Sequence, residues 1–99
     1  AHITGGGLIE NVPRVLPKPL SLDVNINSWP KMPIFEFFTS SLDIEKRDLY
    51  QTFNMGVGLV LIVGAAEKER LQAVVGAENC SEIGVVIKDD SNRVYLNEK

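Results

Sequence analysis

Leu20-Ser21-Leu22-Asp23-Val24-Asn25-Ile26-Asn27 alternates apolar and polar residues without a break. Successive side chains of a strand point to opposite faces, so the stretch reads as a half-buried strand with Leu22, Val24 and Ile26 turned to a core. Upstream, Ala1 to Thr4 is a short β-type segment, followed by Gly5-Gly6-Gly7 and a short helix over Leu8-Ile9-Glu10-Asn11-Val12. Thr4 reads as the N-cap of that helix. Pro17 and Pro19 stop any helix before the strand begins. Downstream, a Pro-punctuated loop from Ser28 to Pro33 leads to a helix start with Ile34, Phe35 and Phe38 on one face. Ser41 or Asp43 then caps a second helix running through Glu45 to Thr52.

Met55 to Val63 is apolar and β-branched, short and flanked by glycines, and it reads as a strand buried on both faces. Gly64-Ala65-Ala66 leads into a helix through Val75, with Ala66, Leu71, Val74 and Val75 on its apolar face and Gly76 as C-cap. Ile83 to Ile87 is another strand. Asp89-Asp90-Ser91-Asn92 is a turn cluster, and Arg93 to Leu96 a final edge strand that closes a C-terminal hairpin. Strands and helices alternate. The class is therefore α/β (α+β), a mixed sheet of about four strands with helices packed on it, in a single domain.

The chain has 99 residues, with 44% apolar and 23% charged side chains, the proportions of an ordinary globular domain. Its formal net charge is −3, and no stretch concentrates Lys and Arg, so no counterion-release term drives binding to nucleic acid. Cys80 is the single cysteine, which excludes an internal disulfide and a thiolate-rich metal cage. The longest apolar run, Val57 to Ala66, is interrupted by Gly58 and Gly64 and is too short to span a bilayer. A cytoplasmic protein without a membrane partner is expected. The first residue is Ala1, leading straight into a structured motif, which is read as truncation upstream.

Thr4-Gly5-Gly6-Gly7 carries the first chemical signal. Without Cβ atoms, consecutive peptide N–H groups can converge, and a following helix adds the positive end of its dipole, a combination suited to phosphate or carboxylate. A tight strand-to-helix turn is the plainer alternative. His2, the only histidine, is a candidate acid, base or hydrogen-bond donor beside this turn. No histidine-based metal site is expected, because no partner stands at ligand spacing. Phe53-Asn54-Met55-Gly56-Val57-Gly58 is the second constellation. Gly56 and Gly58 weaken a strand and either mark a bulge or expose backbone beside a ligand, with the Asn54 amide aimed at it. Asn11 and Arg14 follow the first turn; Arg14 can grip a phosphate bidentately or sit in a surface ion pair. Trp29 reads as a packing anchor.

Taken together, His2-Ile3-Thr4-Gly5-Gly6-Gly7-Leu8, Glu10-Asn11-Val12-Pro13-Arg14-Val15-Leu16-Pro17, Ser28-Trp29-Pro30 and Tyr50-Gln51-Thr52-Phe53-Asn54-Met55-Gly56-Val57-Gly58 resemble the C-terminal domain of the aminoimidazole ribonucleotide synthetase family. The resemblance runs over essentially the whole chain in order and spacing. It implies that residues 1–99 are the C-terminal domain of a two-domain ATP-dependent ligase of purine biosynthesis, whose N-terminal ATP-binding domain is absent here. The implied reaction converts formylglycinamidine ribonucleotide and ATP to aminoimidazole ribonucleotide, ADP and phosphate, with Mg²⁺. ATP and Mg²⁺ are expected to be held mostly by the missing domain, which also forms a homodimer, so the isolated fragment is expected to be inactive.

Carried over by position, His2 is the candidate catalytic residue. Thr4, Gly5, Gly6, Gly7, Asn11, Arg14, Asn54, Gly56 and Gly58 are candidates for substrate or phosphate contact, and no residue is assigned to metal. Two alternatives stand beside this reading. One is a superfamily sibling of the formylglycinamidine ribonucleotide amidotransferase, selenophosphate synthetase or thiamine phosphate kinase type. The other is a stand-alone, non-catalytic binding module.

Overall fold

A computed structural model describes residues 1–30, 32–41 and 43–98. The reading of Lys31 as part of a loop lies outside them. Helices α1 (Gly7–Asn11), α2 (Pro33–Ser41), α3 (Lys46–Thr52) and α4 (Lys68–Val75) accompany strands β1 (Leu20–Asn25), β2 (Gly84–Lys88) and β3 (Val94–Asn97). The strands form one mixed sheet in the order β2-β1-β3, three strands where about four are expected.

The alternating stretch is the central strand. Leu22, Val24 and Ile26 are buried, as the period of two requires, and they meet Leu8, Val12, Leu49, Tyr50, Met55 and Val94 in one core. Each such side chain withdrawn from water contributes about 1.5–3 kcal/mol before conformational entropy is subtracted. Trp29 anchors the loop after β1: its ring is buried edge-on to Tyr50, and its indole N–H donates to the Met55 carbonyl at 3.0 Å.

The expected C-terminal hairpin does not form. β2 runs antiparallel to β1 on one edge and β3 parallel to it on the other. The turn between them straddles the start of β1. There the Asp89 N–H donates to the Pro19 carbonyl (2.8 Å), and the Arg93 N–H to the Ser21 hydroxyl (3.1 Å). Asn92 sits in the left-handed region with φ 49° and ties the turn down, its Nδ2 donating to the carbonyls of Leu16 and Leu20. β1 thus takes the space between two strands that local turn chemistry alone would join.

Residues 55–63 depart most from expectation. A strand buried on both faces is read there, but only Leu59 makes a bridge, antiparallel to His2. Met55 and Val60 are buried, whereas Leu59, Leu61, Ile62 and Val63 are exposed. α4 begins after a 3₁₀ turn at Ala65–Glu67 and buries none of its residues. Gly76 caps it with φ 95°, as the sequence indicates.

Neither expected side-chain cap operates. α1 is capped by Gly6 in the left-handed region and not by Thr4, and α3 by Glu45 and not by Ser41 or Asp43; neither cap makes a side-chain bond. On α2, Phe35 and Phe38 are half-buried against Phe53, with Phe38 and Phe53 stacked at 5.1 Å, while Ile34 remains exposed.

Candidate functional site

The two glycine-containing turns lie side by side because the backbone bonds them there. The Ile3 N–H donates to the Gly58 carbonyl at 2.9 Å, and the Val60 N–H to the Ala1 carbonyl at 2.8 Å. This ladder between two segments sends Ile3 into the core and leaves the neighbouring His2 side chain in solvent. Residues 4–7 then leave one end of the ladder, and residues 54–58 enter at the same end.

The first turn closes through the Gly7 N–H, which donates to the Thr4 carbonyl at 3.0 Å. Asn11 braces it from within: its side chain is buried, and its Oδ1 accepts the Thr4 N–H at 2.8 Å. Gly6 and Gly7 adopt φ 108° and 60°, which favour glycine. A Cβ on Gly7 would collide with the Tyr50 carbonyl oxygen and stand 2.7 Å from that of Phe53, so α1 sits directly on the C-terminal turn of α3. Gly5 is different. It is exposed, and a Cβ there would meet nothing within 4 Å. The peptide N–H groups of Gly5 and Gly6 donate to no backbone acceptor among the described residues.

In the second turn Asn54 accepts the Gly56 N–H through Oδ1 at 2.8 Å, and its carbonyl accepts the Val57 N–H at 3.0 Å. Met55 at φ 53° and Gly56 at φ 94° complete the reversal. Gly58, like Gly5, is exposed with open space where a Cβ would go. Across the helices, the Gln51 side-chain amide donates to Glu10 at 3.0 Å.

His2, Thr4, Gly5, Gly6, Asn54, Gly56 and Gly58 are therefore gathered around one end of one ladder, with Gly7 and Asn11 directly behind them. Arg14 stands apart, exposed on the turn after α1 and without an ion-pair partner among the described residues. Sequence reasoning missed the braces: the Asn11 carbonyl beneath Thr4, and the Gln51–Glu10 link. The one signal for the first is a polar residue on the inward face of an apolar helix.

Among the described residues no group of three or more His, Cys, Asp or Glu side chains is placed to hold a metal ion. No helix among them is long and apolar enough to cross a membrane.

The family model described as "AIR synthase related protein, C-terminal domain" matches residues 1–97. The chain belongs to this family. Among its curated relatives is a phosphoribosylformylglycinamidine cyclo-ligase of Lysinibacillus sphaericus, 46% identical over 98% of the chain and 28% of the relative. A protein of the same name from Nitrosococcus oceani is 47% identical over 71% of the chain and 20% of the relative. Another, from Brevibacillus brevis, is 45% identical over 84% of the chain and 22% of the relative. The domain thus spans about a quarter of the length of the relatives it matches.

Proposed function

We propose that this AIR synthase C-terminal domain is part of a cyclo-ligase that converts formylglycinamidine ribonucleotide and ATP to aminoimidazole ribonucleotide, ADP and phosphate. In this reading the turns at residues 4–7 and 54–58 form one wall of the substrate cleft. The observation that carries it is the Ile3–Gly58 bond, which sets both turns at one end of a ladder whose middle residue is the exposed His2. The relatives' name, phosphoribosylformylglycinamidine cyclo-ligase, supports the reaction, and the grouping of the two turns supports the wall.

The chemistry asked of the wall is modest. The formyl amide oxygen takes the γ-phosphoryl group of ATP, leaving ADP; the amidine nitrogen then attacks that carbon, and the C–O bond breaks to release phosphate. This chain's residues orient the substrate. The free N–H groups of Gly5 and Gly6 are suited to an anionic oxygen, since backbone donors fixed in place need no reorganisation. His2, exposed on the ladder that joins the two turns, is the candidate side chain for a polar contact to the substrate. Among the described residues no cluster of His, Cys, Asp or Glu is placed to hold a metal ion; in this reading the rest of the polypeptide holds Mg²⁺ and the nucleotide and forms the dimer.

The test uses the full-length enzyme, with aminoimidazole ribonucleotide formation as readout. His2→Ala and Gly5→Val are the informative variants. Gly6→Val is a poorer probe, because φ 108° and the Glu10 side chain already demand glycine there. Turnover should fall at least about tenfold in each, with the unfolding midpoint unchanged. Normal turnover in both, or loss only through instability, would sink the assignment.

A further inference from the structure

The ladder's last pair is Ala1 with Val60, and the backbone continues past Val60 without a pairing partner among the described residues. Ala1 and Val60 exchange both backbone hydrogen bonds, with the terminal amine occupying the place of a peptide N–H. His2 faces Leu59, so facing residues sum to 61. Beyond Val60 the backbone carries on through Leu61, Ile62 and Val63, which are 50%, 41% and 45% exposed and belong to no strand. These residues line one side of an apolar groove of about 840 Å³, whose other walls are Leu71 and Val75 of α4 and Val85 and Val86 of β2. A contiguous apolar surface beside an unpaired backbone edge is a combination that folded proteins cover.

We propose that the segment preceding Ala1 in the full-length polypeptide continues as a strand antiparallel to residues 61–63 and lays its side chains over this groove. Two observations choose this occupant over others. The chain matches a C-terminal domain and spans about a quarter of its relatives' length, so the full-length polypeptide supplies chain upstream of Ala1. The register also fixes the path: a strand already hydrogen-bonded at Ala1 and Ile3 reaches residue 61 with its next residue. The residue immediately before Ala1 then faces Leu61 in a non-hydrogen-bonded pair. The one before that exchanges hydrogen bonds with Ile62. The proposal rests on the reading of the chain as part of a longer enzyme, but not on the cleft assignment. Its test uses no activity.

In the full-length protein with Cys80→Ser, a cysteine placed immediately before Ala1 is combined either with Leu61→Cys or with Val63→Cys. Directly facing residues in such a pair lie within disulfide reach, while a partner two residues along does not. Mild oxidation should close the first combination within one chain and leave the second reduced. Amide exchange at Ile62, followed by NMR, should be slowed at least about 100-fold relative to an unstructured chain. Closure of the Val63 combination instead, cross-linking between two chains, or rapid exchange at Ile62 would each overturn the proposal.

Discussion

The Oδ1 of Asn11 holds the peptide N–H of Thr4 at 2.8 Å from a side chain only 5% exposed. A glycine-rich turn has little intrinsic stiffness, so this single buried acceptor fixes where the turn departs from the ladder. Asn11→Ala removes the acceptor and leaves a donor unsatisfied, at a cost of about 1–3 kcal/mol. Urea unfolding of the full-length enzyme should show the loss as a lower midpoint, with Asn11→Asp, which keeps an acceptor, losing less. A midpoint unchanged by Asn11→Ala would deny the brace its role.

The glycines of the first turn should separate cleanly. Gly7→Ala places a methyl against the carbonyls of Tyr50 and Phe53 at φ 60° and should destabilise by about 2–4 kcal/mol. Gly5→Ala adds its methyl in open space and should change stability by less than about 0.5 kcal/mol. Thermal unfolding of the two variants side by side reads the contrast. Equal destabilisation would mean that the turn is one rigid unit with no position reserved for a ligand.

Tyr50 is a buried ring whose hydroxyl has no hydrogen-bond partner among the described residues, and burial pushes its pKa up. Removing an unsatisfied hydroxyl while keeping the ring stabilises or is neutral, so Tyr50→Phe should shift stability by about 0 to +1 kcal/mol. Trp29→Phe, which deletes the indole N–H bonded to Met55, should lose about 1–3 kcal/mol instead. Chemical denaturation distinguishes them, and a destabilised Tyr50→Phe would reveal a partner for that hydroxyl.

Asp89 makes one pH-dependent contribution to stability. The Tyr95 hydroxyl donates to its Oδ2, and this bond is the chief cause holding the carboxyl below the usual carboxylate range. A carboxyl whose folded pKa lies below its unfolded value stabilises above the unfolded value, near 3.9, and loses that contribution as pH falls through the folded pKa. Tyr95→Phe should therefore cost more stability at pH 7 than at pH 2. A pH-independent difference between the two proteins would show that the bond does not favour the ionised form.

Much of the fold was legible because the signal was local. β1 announces itself through strict alternation, and its apolar positions are the ones buried. Trp29 and the stop at Gly76 follow from chemistry carried by single residues. Residues 59–63 misled because an apolar, β-branched run signals a strand but not its pairing partner, and here only Leu59 finds a bridge. The Asp89–Asn92 cluster forecasts a reversal correctly but not what enters the gap, and β1 enters it. At the candidate site, the grouping of His2 to Gly7 with residues 54–58 was expected from resemblance, whereas its cause, the Ile3–Gly58 bond, depends on a pairing between residues 55 positions apart. Asn11 was read as a ligand contact or a holder of its helix, and Asn54 as facing a ligand; the Oδ1 of each accepts a backbone N–H. Such local allegiance is not encoded by residue type alone.

The absent Cβ of Gly7 has a mechanical consequence. With α1 seated on the carbonyls that end α3, the turn following β-type residues 1–3 and the turn leading to residues 58–60 are keyed together like two teeth of one gear. Neither can tilt without driving the other through the Tyr50 and Phe53 backbone. A displacement of one turn therefore carries the other with it, and the spacing between the two stays constant.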